Sequence, residues 1–252
     1  MDFAFLGDTM WQLLQVTPIT CALWICCIAL GGVFALFITW ARVSGVPVIT
    51  QLAGIYIFIF RGSPLMIQMF LLYYGLSQFP EVRHSFAWPV LRDPFNSAVI
   101  SLALCTAGYT AEIFRGGLQA VPGREIEAGR AIGMSGFTLF RRIVAPIALR
   151  QCLPAYSTEI VLMMKSTSLA SLVTVWEVTG IAQRIITHTY RTFEVFICAA
   201  VIYLVLNFII IRAVGLLEHL VSPHLRARPQ AIKPGAPAAH ASGPIELPEV
   251  PR

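Results

Sequence analysis

Residues 127–146 read EAGRAIGMSGFTLFRRIVAP, a charged, glycine-punctuated stretch of helical pattern set between two strongly apolar segments. An ionised side chain at the centre of a bilayer costs at least ~2.5 kcal/mol, so a loop this charged belongs in water. Pro122 and Gly123 open it, and Arg124 to Ile132 reads as a short helix with Glu125 and Glu127 in its first turns, favourable to the helix dipole. Gly133 suits the left-handed turn that ends such a helix. Ser135 is placed to cap a second helix, along which Phe137, Phe140, Arg141 and Val144 recur every three or four residues. Pro146 is expected to interrupt that helix before the chain re-enters the apolar phase. The product is two short helices around a small waist of Ala128, Gly129 and Gly133, where a partner surface can approach closely and charged rims set its register. The plainer alternative is an amphipathic interfacial helix with snorkelling arginines.

Outside this loop the composition belongs to a membrane protein. Of the 252 residues 57% are apolar and only 12% charged, and the mean hydropathy is +0.73. Soluble domains run near ~45–50% apolar and ~25% charged. The net charge of +5 does not point to nucleic acid, because the basic residues cluster in loops beside apolar runs. No Lys or Arg precedes Arg42, so the first apolar run is expected to stay in the membrane rather than be cleaved as a signal peptide.

A span needs about 20 apolar residues to cross ~30 Å of hydrocarbon. Five segments qualify, at about 17–40, 52–76, 96–117, 153–176 and 193–216, and backbone satisfaction in lipid requires helices. The fold class is therefore an all-α membrane protein of five transmembrane helices. The organisation is an N-terminal segment 1–16 outside the membrane, a transmembrane domain 17–217 containing the cytoplasmic loop 122–150, and a tail 218–252. Placing the N-terminus outside puts Arg42, the arginines at 115, 124, 130, 141, 142 and 150, and Arg226, Arg228 and Lys233 inside. Only Arg83, Arg92, Arg184 and Arg191 then lie outside, so the positive-inside rule predicts N-out and C-in. The tail is rich in Pro and Ala and is expected to be cytoplasmic and disordered.

The spacing Glu127-Ala128, Gly133, Ile143, Pro146 resembles the EAA loop of bacterial ABC-importer permeases, with Gly129 where a second alanine is usual and Ala145 where leucine is usual. The resemblance extends over most of residues 10–220. YIFIFRGSPLMIQ (56–68), AGYTAEIFRGGLQAV (107–121) and LPAYSTEIVLMMKSTSLASLVTV (153–175) are similar to segments of the polar amino-acid branch, of histidine/lysine/arginine/ornithine type and closest to its M-type permease, with opine permeases as near relatives. The resemblance implies a type I permease in the bacterial inner membrane that serves a binding-protein-dependent importer for basic or polar amino acids or opines. It implies four kinds of partner: two ATPase subunits docked on the loop through Glu127, Ala128, Gly129, Gly133, Ile143 and Pro146, a second and commonly different permease, a periplasmic solute-binding protein, and the lipid bilayer. ATP is then used by the partner subunit. No cofactor is expected on this chain, which carries no GxxxxGK[ST] phosphate loop.

Arg61, Glu112, Glu159 and Lys165 fall inside or at the edge of apolar spans, where an ionisable group is a functional candidate by default. Lys165 is placed near the midpoint of its expected span. Glu159 and Lys165 diverge by about 120° with ~9 Å of rise, so they cannot neutralise each other along one helix. Glu159 shares a face with Met163 and Ser166 instead, and Gly62 and Pro64 are expected to break the second span just after Arg61. A zwitterionic ligand needs a cation for its carboxylate and an acceptor for its ammonium. Glu159 and Glu112 are therefore candidate acceptors, and Arg61 and Lys165 candidate cations, in a substrate path that includes Ser166. The competing reading is that these charges pair between helices and hold the bundle together.

Other functions fit less well. An ion channel or ion-coupled secondary amino-acid carrier also places charges in spans, but carriers usually show inverted repeats and no internal repeat is visible. A receptor or scaffold would leave the membrane charges without a purpose. The five histidines lie in loops or tail without ligand or nucleophile spacing, so an enzyme is not expected. The six cysteines lie in or beside apolar runs without metal or disulfide-framework spacing, and no metal is expected.

Overall fold

The computed structural model describes residues 2–221, all of whose regular structure is helical. The segment expected to be a disordered tail, apart from Glu218–Val221, lies outside the described residues. The helices run α1 Phe3–Val43, α2 Pro47–Gly62, α3 Leu65–Phe70, α4 Pro80–Arg83, α5 Trp88–Leu91, α6 Pro94–Gln119, α7 Gly123–Ala131, α8 Gly136–Leu139, α9 Ala145–Ser166, α10 Val178–Thr189 and α11 Thr192–Val221. The segment 1–16 is helical from Phe3 on, as part of the 41-residue α1. At ~1.5 Å per residue α1 is about 60 Å long, twice the ~30 Å hydrocarbon thickness.

Helices α1, α6 and α11 are each long and apolar enough to cross a membrane unaided. Two further candidates are bent. The expected 52–76 span is broken: α2 ends at Gly62, Ser63 is extended, and the path through Leu65–Gln78 turns by 106°. Pro64 lacks the N–H that would continue the ladder and disfavours helical backbone before it, and Gln68 covers the freed groups by donating from Nε2 to the Phe60 and Ser63 carbonyls at 2.9 and 3.0 Å. The expected 153–176 span belongs to a longer helical run, Gly136–Val173, followed by α10 at 49°. Pro146 does not interrupt this run, contrary to expectation. Residues Phe140–Val144 form a π-turn that enters α9 directly, and Pro146 sits in the first turn of α9, where a missing N–H is tolerated.

Helix α6 is the centre of the bundle, with Ser97, Leu102, Ala103, Thr106, Ala107 and Ala111 buried along it. Small residues let helices approach closely where lipid supplies no hydrophobic drive. A Cβ at Gly117 would lie 2.7 Å from the Ala148 carbonyl oxygen and 2.8 Å from Cys152 Cβ, so α6 and α9 cross there almost backbone to backbone. One core gathers Leu23, Cys27, Met69, Leu102 and Met163, and a second joins Leu13 of α1 to Val178 and Ala182 of α10 and Val195 of α11.

Candidate functional site

The loop 122–150 is a rigid knob. Helix α7 ends in a Schellman motif: Gly133 N–H donates to the Arg130 carbonyl at 2.9 Å and Met134 N–H to the Gly129 carbonyl at 3.0 Å. Gly133 has φ +85°, the left-handed conformation that a side chain disfavours. Ser135 is extended at the start of α8, but its hydroxyl makes no capping bond; the turn is held by Thr138 N–H to the Ser135 carbonyl at 3.2 Å. Gly129 is buried, and a Cβ there would meet Ile143 Cδ1 at 2.5 Å and Leu139 Cδ1 at 2.6 Å. The waist is thus Gly129 against Leu139 and Ile143, which locks α7 onto the π-turn. Glu127, Ala128 and Gly133 remain exposed, and Pro146 is half-buried. Beside them Ile132 and Phe137 are 73% and 74% exposed, apolar side chains on a charged loop with none of the described residues over them.

The intramembrane candidates separate into three places. Glu159, only 6% exposed, accepts a hydrogen bond from Thr106 Oγ1 at 2.8 Å, at the middle of α6. Arg61 lies with its guanidinium carbon 5.0 Å from the centroid of the Tyr109 ring, and Tyr109 donates to the Arg61 carbonyl at 3.3 Å. Thr106 and Tyr109 are one helical turn apart, so α6 brings Glu159 and Arg61 to the same level. Glu112 is turned toward the loop end of the bundle, where Arg115 Nε donates to it at 2.9 Å and Arg42 Nε lies 3.5 Å away. Lys165 is the penultimate residue of α9 and exposed, with no carboxylate within 4.0 Å among the described residues. Ser166 next to it returns its hydroxyl to the Leu162 carbonyl at 3.0 Å.

One buried carboxylate is absent from the sequence reading. Glu177, fully buried, caps α10 by accepting from Gly180 N–H at 2.9 Å, and accepts Tyr203 Oη of α11 at 2.7 Å and Thr20 Oγ1 of α1 at 3.5 Å. Val178 N–H donates to the same Thr20 hydroxyl at 3.3 Å. Three helices therefore meet on one side chain. The only sequence signal for it is a Glu followed two residues later by a Thr-Gly at the start of a helical period.

This architecture, a helical bundle around α6 with a rigid polar knob at one end, is that of a transport permease, and residues 28–223 match the family of binding-protein-dependent transport system inner membrane components, to which the chain belongs. Among its relatives, the octopine transport system permease protein OccM of Rhizobium radiobacter is 53% identical over 225 residues, which cover 89% of this chain and 92% of that protein. The nopaline transport system permease protein NocM of Agrobacterium fabrum is 45% identical over 241 residues, 95% of this chain and 100% of the relative. The histidine/lysine/arginine/ornithine transport system permease protein HisM of Escherichia coli is 41% identical over 200 residues, 78% and 84% of the two chains. A crystal structure of an amino acid ABC transporter superposes with a TM-score of 0.77 at 30% identity, covering 87% of this chain and 99% of that one. An inward-facing MetNI methionine ABC transporter shares the fold, with a TM-score of 0.65 at 18% identity over 85% and 98% of the chains.

Proposed function

We propose that this chain is the membrane-spanning permease subunit of an ABC importer for basic or polar amino acids or opines, coupled through residues 122–150 to a separate ATPase. The observation that carries the coupling role is the knob itself. Its waist is closed internally by Gly129, Leu139 and Ile143, while Glu127, Ala128, Ile132 and Phe137 face outward on a loop whose arginines mark the cytoplasmic side. An exposed apolar pair inside a charged rim is the composition of a docking surface.

With the bent α2–α3 path and the run ending in α10 each counted as one crossing, the chain spans the membrane five times, N-out and C-in. The partners are two ATPase subunits that use the ATP, a second permease that is commonly different, and a periplasmic binding protein, all at a bacterial inner membrane. Within the path, Glu159 receives the cationic group of the ligand, and Arg61 or Lys165 faces its carboxylate. Glu112, held between Arg42 and Arg115, fastens the loop end of the bundle and fits the structural role better than the path.

The test is purification of the tagged chain from native membranes, with mass spectrometry and ATPase assay of what accompanies it. A P-loop ATPase and a second permease, both lost on Gly133→Trp, are expected. A chain that purifies alone, without ATPase activity, removes the coupling role.

A further inference from the structure

At the end of the bundle away from the loop, the first turns of α1 and the helix α10 face each other across an open cleft of about 500 Å³. From α1 it takes Asp8, Thr9 and Gln12, and from α10 Arg184 and His188, each set at helical spacing on one face. Small-ligand sites run roughly 300–1,000 Å³, with a few convergent polar groups over an apolar lining. The length of α1 carries this cleft beyond the hydrocarbon: its other end, at Val43, already lies beside Leu118 and Phe140 at the loop side.

The charges here are unsatisfied in a particular way. Elsewhere at this end they pair, Arg191 with Asp2 at 3.3 Å and with Glu194 at 3.6 Å. Asp8 and Arg184 stand on opposite walls and have no ion-pair partner within 4.0 Å among the described residues. Arg184 is laid against its wall by the Trp176 ring, 5.7 Å from its guanidinium carbon. Thr9, 1% exposed, lines the cleft beside Asp8 and can offer its hydroxyl to the same group.

We infer that this cleft binds a zwitterionic, amino-acid-like ligand, its carboxylate on Arg184 and its ammonium on Asp8 and the Thr9 hydroxyl, as an outer station ahead of the intramembrane path. The inference rests on the importer reading, to which it adds a second ligand site. A protein loop bearing both charges would satisfy the same walls, and the test separates the two.

The complete transporter is reconstituted in vesicles without the binding protein, and retention of L-arginine, octopine and agmatine is measured; agmatine is arginine without its carboxylate. Arg184→Gln is expected to weaken retention of L-arginine or octopine about tenfold, one charge-assisted hydrogen bond, while agmatine is unchanged. Asp8→Asn is expected to weaken all the ligands that the wild type retains. Equal retention by wild type and both variants overturns the site. So does a loss confined to stimulation by the binding protein, which makes the cleft a protein-docking surface. ATP-driven uptake by the wild-type vesicles is the separate check on the importer reading: if uptake stands and retention does not change, only the cleft site falls.

Discussion

The Glu159 carboxylate takes a hydrogen bond from the Thr106 hydroxyl at 2.8 Å, tying α9 to α6 at the turn where Arg61 stacks on Tyr109. A buried carboxylate with one hydroxyl partner and no paired arginine keeps acceptor capacity for a ligand. Glu159→Gln preserves shape and an acceptor for Thr106, so the bundle should assemble at wild-type level. Uptake of a cationic amino acid should fall about tenfold or more, the loss of one charge-assisted contact. Transport assays beside membrane immunoblots check this; normal uptake at normal affinity removes Glu159 from the path.

The knob should respond differently at its two glycines. At Gly129 an added Cβ meets only the methyl ends of Leu139 and Ile143, which can rotate away, so Gly129→Ala should keep most of the ATPase coupling. At Gly133 there is room around the Cβ but φ is +85°, so Gly133→Ala should strain the turn by about 1–2 kcal/mol and lower coupling several-fold. Ligand-stimulated ATPase activity of the assembled transporter separates them, and a reversed order would mean the waist, not the turn, sets the docking geometry.

Removing the Glu177 side chain strands the Gly180 N–H inside the bundle and leaves the Tyr203 hydroxyl only Thr179 Oγ1, at 3.1 Å. Glu177→Ala should cost about 1–3 kcal/mol and lower the thermal midpoint in detergent by roughly 2–12 °C. Tyr203→Phe should cost about 1 kcal/mol. Unchanged midpoints for both would show that the three-helix junction is not held by this side chain.

Neighbouring glycines on α6 make an internal control. Gly117→Ala drives a methyl into the Ala148 carbonyl oxygen and Cys152 Cβ, atoms fixed by the backbone of α9 that cannot rotate away, and should destabilise by about 1–3 kcal/mol. Gly116 has nothing within 4 Å of its Cβ position, so Gly116→Ala should be neutral or stabilising by up to about 1 kcal/mol. Thermal unfolding and yield of the two variants decide it.

The loop was legible in the sequence because its signals are local: Gly133 for a left-handed turn, apolar and basic residues at helical spacing after Ser135, and Gly62 with Pro64 for the break. Pro146 misled because proline reads as an interruption, while a preceding π-turn lets the helix absorb it in its first turn. Glu177 was silent for a different reason. Its partners Thr20 and Tyr203 lie 157 and 26 residues away, and no local period reports a junction made by three helices.

The most direct test of the importer account is uptake into vesicles holding this chain with its co-purified permease and ATPase partners, supplied with the binding protein and labelled L-arginine or octopine outside. Uptake should require ATP inside, ignore imposed proton and sodium gradients, and vanish with Gly133→Trp. Uptake that follows an ion gradient without ATP, and survives Gly133→Trp, would contradict the account and make this chain an ion-coupled carrier.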